Sequence, residues 1–189
     1  MKVGDNMNIE IRKAKVEEAK DIVMINNIEW RSTYKGLIPN RIFDMMDQKT
    51  DERIKRKQQT IKEKNNTFVA LLDGKVVGFS SYGKAHDDEY SDAGQIYACY
   101  ILDEYHKYGI GSKLIAQGMQ ALINDGYTTM ISGCLVGNSA NEFHKYVGGK
   151  YIKTIDFDAF GYIAKENIYY YEDINKALEM NKEKIKSRG

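Results

Sequence analysis

One proline, one tryptophan, two cysteines and three histidines are all that 189 residues contain of those types. Each scarcity excludes something. Cys99 and Cys134 each sit inside an apolar, strand-like run, and two thiols cannot build the disulfide framework of a small secreted domain. Reduced thiols and a cytoplasmic location are therefore expected. His86, His106 and His144 are scattered, with no second ligand at paired spacing, so no metal is expected. Charge of one sign is also missing: 28 Lys and Arg offset 27 Asp and Glu, a net charge of +1. Such a balance gives no global attraction to nucleic acid or to an anionic membrane. No apolar run approaches the roughly 18 residues that span a bilayer. Met1 to Glu10 is polar and lacks the apolar stretch of a signal peptide.

What is present is a globular composition, 42% hydrophobic and 11% aromatic. The length suits one compact domain, with no repeat, low-complexity linker or composition shift to divide it. Ile9 to Ile11 reads as a short first strand. Ala19, Ile22, Val23 and Trp30 follow at helical spacing. After a loop around Pro39, a charged helical stretch runs from about Arg41 to Lys64. Thr67 to Leu72 and Lys75 to Tyr82 flank Asp73-Gly74, a pair that favours a type I′ hairpin. Gln95 to Leu102 is a strand that leads through a glycine turn into a helix ending near Gly126. A strand (Tyr127 to Val136), a helix (Asn138 to Val147) and two strands (Lys150 to Phe157, Asn167 to Tyr171) complete an α/β order. The domain is expected to occupy residues 7–173, with 174–189 as a Lys-rich helical tail.

The turn from Tyr105 to Ser112 carries the most chemical information. A helix that opens directly from a tight turn presents unpaired backbone N–H groups and a partial positive charge, a combination that binds anions. Gly109 and Gly111 let the backbone approach phosphate oxygens without a Cβ in the way. His106, Lys107 and the Ser112 hydroxyl could add to such a site. Two commoner phosphate motifs fail here. A P-loop needs Gly-Lys followed by Ser or Thr, whereas Gly111 precedes Ser112-Lys113, and a dinucleotide fingerprint needs glycine where Leu114 stands.

Tyr100 to Ile115 resembles instead the pyrophosphate-binding segment of the GNAT family of N-acetyltransferases. That family's Gln/Arg-x-x-Gly-x-Gly/Ala pattern falls on His106 to Gly111, with His106 in place of the usual first residue. Asn138 to Lys150 is similar to the family's second motif, in which an Asn is followed by an Ala, a Phe-Tyr pair and a Gly-Gly turn. The resemblance spans about residues 9 to 173. It implies a mixed, mostly antiparallel sheet of six to seven strands flanked by about four helices. It also implies acetyl-coenzyme A (acetyl-CoA) as co-substrate, a small-molecule amine as acceptor, and direct attack in a ternary complex.

By the same resemblance, the strand bulges around Tyr100 and Ile101 and splays from Leu135. Coenzyme A (CoA) would then be held by Tyr100, Ile101, Leu102, His106, Lys107, Tyr108, Gly109, Ile110, Gly111 and Ser112, together with Asn138, Ser139 and Phe143. The family's thiolate-protonating Tyr falls on His144, which titrates near neutrality when unperturbed; Tyr146 is the second candidate. The family's glutamate base falls on Gln95, which cannot take up a proton. Glu29, Tyr97 or a water chain are the alternatives. Trp30 and Tyr34, four residues apart, share a helix face and could contact a flat or cationic acceptor. A covalent route through Cys99 or Cys134 lacks His or Asp partners at any triad spacing. Gln95 and His144 also leave room for a catalytically weak acyl-CoA-binding sensor, and a protein N-acetyltransferase is a third reading. A homodimer is compatible with the residues but not fixed by them.

Overall fold

The computed structural model describes residues 8–106 and 108–186. Seven strands form one sheet: β1 (Ile9–Lys13), β2 (Thr67–Leu72), β3 (Lys75–Lys84), β4 (Gly94–Ile101), β5 (Met130–Leu135), β6 (Lys150–Ala159) and β7 (Tyr162–Tyr171). The strand order is β1-β2-β3-β4-β5-β7-β6, and only the β4–β5 pair is parallel. Among the described residues the six α-helices are α1 (Ala19–Thr33), α2 (Asn40–Gln48), α3 (Thr50–Lys64), α4 (Ile110–Asn124), α5 (Ala140–Tyr146) and α6 (Ile174–Lys186). The mixed, mostly antiparallel sheet matches expectation, with six helices in place of about four.

Alternation along β2 separates the two faces of the sheet. Phe68 and Ala70 point to the α4 side, Val69 and Leu71 to the α1 and α3 side. At the β2–β3 hairpin Asp73 and Gly74 both have positive φ, 49° and 83°, the type I′ geometry expected of that dipeptide.

The charged stretch from Arg41 to Lys64 divides at Lys49 into α2 and α3. Their buried residues serve different partners. Ile42, Phe43 and Met46 of α2 pack with Trp30 and Tyr34, whereas Ile61 of α3 packs with Ile22 and Ile25. Burying both sets requires a change of axis, which one continuous helix cannot supply.

The strands β6 and β7 are longer than their apolar cores suggested, because their alternating polar residues face solvent. The segment after Tyr171 is helical and packs on α4: Ile174, Ala177 and Leu178 are buried in the same cluster as Leu114, Met119 and Leu122. Truncating any one of those fully buried α4 side chains to Ala would cost about 2–5 kcal/mol. Gly118 and Gly94 let α4 lie close to β4, since a Cβ at either would fall within 2.6 Å of Ile96 or Leu122 respectively.

Candidate active site

The site begins where a ladder stops. Parallel pairing joins β4 to β5 only from Gly94–Ile96 to Met130–Ser132, and beyond that the two strands diverge. Divergence is helped by a bulge at Tyr97: Ala98 and Ile96 face consecutive residues of β3, Ser81 and Tyr82. The bulge therefore lies three residues before the expected Tyr100–Ile101, while the splay from Leu135 is as expected. The Tyr97 ring stacks on His86, and its hydroxyl donates to the Lys84 carbonyl at 2.5 Å, which pins the irregularity.

A cavity of about 480 Å³ opens in the fork. At one end stands the N-terminus of α4. Gly109 caps it at φ 71°, and a Cβ there would meet nothing within 4 Å, so the space beyond is open. The first helical bond is Lys113 N–H to the Gly109 carbonyl, which leaves the amides of Ile110, Gly111 and Ser112 without intrahelical acceptors. Glycine at this conformation, open space in front and three free donors fit a diphosphate. Asn181 of α6 donates to the Ser112 carbonyl at 2.7 Å and ties the first turn down.

Other residues expected around this end divide into two groups. His106, Gly109, Ile110, Gly111, Ser112 and Phe143 line the cavity, as do Tyr100, Ile101 and Asn138. His106 Nε2 lies 2.7 Å from the Ile101 carbonyl and closes the loop. Leu102 does not line the cavity, because its amide is spent on the Val77 carbonyl at 3.0 Å. By ladder alternation it is the Cys99 and Ile101 amides that turn away from β3 and toward the fork. Tyr108 is 38% exposed and outside the lining, as is Ser139 at the start of α5. Lys107 lies outside the described residues.

The other end of the cavity is aromatic. Trp30 Nε1 donates to the Tyr100 hydroxyl at 2.9 Å, Tyr34 and Tyr100 hydroxyls lie 3.5 Å apart, and Asn138 Nδ2 donates to the Tyr34 hydroxyl at 3.4 Å. Trp30 meets Tyr34 edge-on at 5.2 Å and approaches Phe157 at 6.2 Å. Trp30 and Tyr34 are therefore both core residues and cavity walls. Among these rings sits one carboxylate that the sequence reading did not single out, Glu166 of β7. Glu166 pairs with Leu135, shares its face, and leans diagonally over Gly133, where any Cβ would collide with the carboxylate. Burial pushes its pKa up to about 7.

The expected acid–base residues are placed as follows. His144 lines the cavity, stacks on Tyr169 and has Nδ1 2.7 Å from the Tyr171 hydroxyl. Burial lowers its pKa to about 4, so at pH 7 it is a neutral imidazole rather than the near-neutral titrating acid expected. Tyr146 is 56% exposed and outside the cavity lining, beside Lys184. Glu29 is buried but does not reach the cavity; its carboxylate accepts from the Asp103 N–H at 3.3 Å. Gln95 is likewise outside, accepting from the His86 N–H at 2.9 Å, whereas Tyr97 contributes to the lining. Burial raises the Cys99 and Cys134 thiols to about 12, which keeps both protonated and unreactive. Among the described residues Glu29, Asp103 and His106 bring three metal-capable atoms within 4.8 Å, but Glu29 and His106 already bond backbone.

Comparison with known proteins agrees with this geometry. Residues 23–148 match the model of the acetyltransferase (GNAT) family. The uncharacterized N-acetyltransferase YuaI of Bacillus subtilis is 30% identical over 159 residues, covering 84% of this chain and 90% of that protein. The fold is similar to that of PaiA N-acetyltransferase from Thermoplasma acidophilum, solved with coenzyme A. There the TM-score is 0.68 at 19% identity, over 87% of this chain and all of the other. YncA of Salmonella typhimurium, a putative acetyltransferase solved with acetyl-CoA, has a TM-score of 0.65 at 18% identity, over 87% and 93% of the two chains. A family match across two thirds of the sequence, on a sheet forked beside a glycine-opened helix, identifies the chain as a member of the GNAT family and an acyl-CoA N-acyltransferase.

Proposed function

We propose that the protein transfers an acetyl group from acetyl-CoA to a primary amine of a small molecule, by direct attack within a ternary complex. One observation carries this reading: a single cavity joins the free amides of α4 to an aromatic chamber lined by Trp30, Tyr34 and Phe157. The diphosphate of CoA would lie on Ile110–Ser112, and the acyl arm would follow the fork edge of β4. Acetyl-CoA supplies an activated thioester. The protein's part is to bind, orient and exclude water.

The Cys99 and Ile101 amides, unpaired along the fork, are suited to hold the acetyl oxygen, where charge builds during attack. His144, neutral at pH 7, can act as a hydrogen-bonding wall but not as a cation. The packing of Trp30 against Tyr34 and Phe157 at that end of the cavity favours a small acceptor over a polypeptide. Calorimetry with acetyl-CoA, followed by thiol release across a panel of primary amines, tests the proposal. Binding in the micromolar range and amine-dependent thiol release are expected; no binding at millimolar acetyl-CoA would refute it.

A further inference from the structure

Within that acyl-transfer reading, we infer that Glu166 is the general base: its carboxylate takes the proton of the incoming ammonium at the floor of the aromatic chamber.

Position comes first. Glu166 lines the cavity with Tyr34, Tyr100 and Cys134, in the divergent part of the fork. Gly133 creates the room it occupies. The expected bases are less suited. Gln95 has no basic site, and Glu29 faces the Asp103 amide outside the cavity. Tyr97 does line the cavity, but its hydroxyl donates to the Lys84 carbonyl and burial raises its pKa further.

The surroundings come second. The titratable groups nearest the carboxylate are the Tyr34 hydroxyl from α1 and the Cys134 thiol from β5, both held protonated by burial and by Glu166 itself. Tyr100 of β4 is pushed higher still, and His144 of α5 stays uncharged. Lys184 of α6 lines the same cavity, and burial is what moves the Glu166 pKa, to about 7. A carboxylate with that affinity for protons is matched to general-base work near neutrality. An ammonium among Trp30, Tyr34 and Phe157 would also meet ring faces that favour a cation.

The step balances. The ammonium gives one proton to the Glu166 carboxylate, and the freed nitrogen pair forms the C–N bond to the acetyl carbon. The C–S bond breaks with its pair on sulfur. The second nitrogen proton passes to that sulfur, and Glu166 returns its own to water. Ammonium and thioester thus become amide, thiol and one released proton.

The test compares the wild type with Glu166→Gln and Glu166→Asp by three measurements. Calorimetric acetyl-CoA affinity should stay within threefold for both variants. For Glu166→Gln, kcat/KM at pH 7 should fall roughly 10²–10⁴-fold, the range for loss of a general base. Its activity should return only as pH approaches the amine's own pKa, and Glu166→Asp should recover part of the loss. Carbon-13 titration of glutamate carboxyls in the protein without ligands should show one group near pH 7 that is missing in Glu166→Gln. Activity within threefold of wild type at pH 7, or titration of Glu166 at the ordinary pH of 4 to 5, would overturn the inference. A wild type that binds acetyl-CoA but acetylates no amine would instead refute the acetyl-transfer proposal and the base role with it, whereas an active wild type with an equally active Glu166→Gln would overturn the base role alone.

Discussion

His144 and Glu166 line one cavity, and burial moves both away from their ordinary titration in ways that oppose each other as pH changes. His144 has a folded pKa of about 4 against 6.5 unfolded, so its contribution to stability is complete above pH 6.5 and lost as pH falls through 4. Glu166, raised to about 7 from 4.5, contributes fully below pH 4.5 and loses that contribution as pH rises through 7. Each displacement is worth up to about 3 kcal/mol, at about 1.4 kcal/mol for each pH unit. Between pH 4.5 and 6.5 the two slopes nearly cancel. Urea unfolding across that window should therefore show little change attributable to the pair in the wild type. His144→Gln should make stability fall with rising pH, and Glu166→Gln should make it rise. Parallel curves for all three proteins would contradict the burial-driven displacements.

At the scale of the element, α4 combines two demands that its sequence displays openly. Its buried face, with Leu114, Met119 and Leu122, anchors the helix, while Gly109 opens its first turn to the cavity. Gly109→Ala places a Cβ in left-handed backbone at a cost of about 1–2 kcal/mol. That Cβ would also stand in the open space proposed for the phosphates. Acetyl-CoA affinity measured by calorimetry should drop at least tenfold, with a modest fall in Tm. Equal affinity would place the diphosphate elsewhere.

This turn was legible because glycine pairs and helix starts are local in sequence. The same is true of the Asp73-Gly74 hairpin, set by two adjacent residues. The break at Lys49 was not legible, since it depends on which distant residues Phe43 and Ile61 pack against. Glu166 was hidden for a related reason. The apolar run that marks β7 begins after it, and only the register with Leu135 and the bare Gly133 shows its destination. The expected roles of Glu29, Leu102 and Tyr146 rested on chain position; hydrogen bonding of the first two and exposure of the third assign them elsewhere.

At the scale of the whole molecule, α6 is packed into the principal cluster, and Asn181 links it to the Ser112 carbonyl. The last helix thus supports the start of α4 across 69 residues of sequence. The sheet itself is less uniform. On one side of the fork β1 to β4 form an antiparallel leaf, on the other β5, β7 and β6 form a second, and only three residue pairs join them. Side chains of both leaves meet again in the principal cluster, which holds Ile96 of β4 and Met130 of β5 with Leu114 and Leu122 of α4.

Such a seam makes the protein behave as a book with a short spine. The amides of Cys99 and Ile101, with no partner strand across the seam, should exchange with deuterium orders of magnitude faster than those in the middle of β2. A molecule that spans the opening would bind both leaves at once and suppress that exchange in proportion to its occupancy. Hydrogen–deuterium exchange with and without acetyl-CoA would show whether its arrival staples the leaves together, so that the reagent to be consumed first completes the architecture that consumes it.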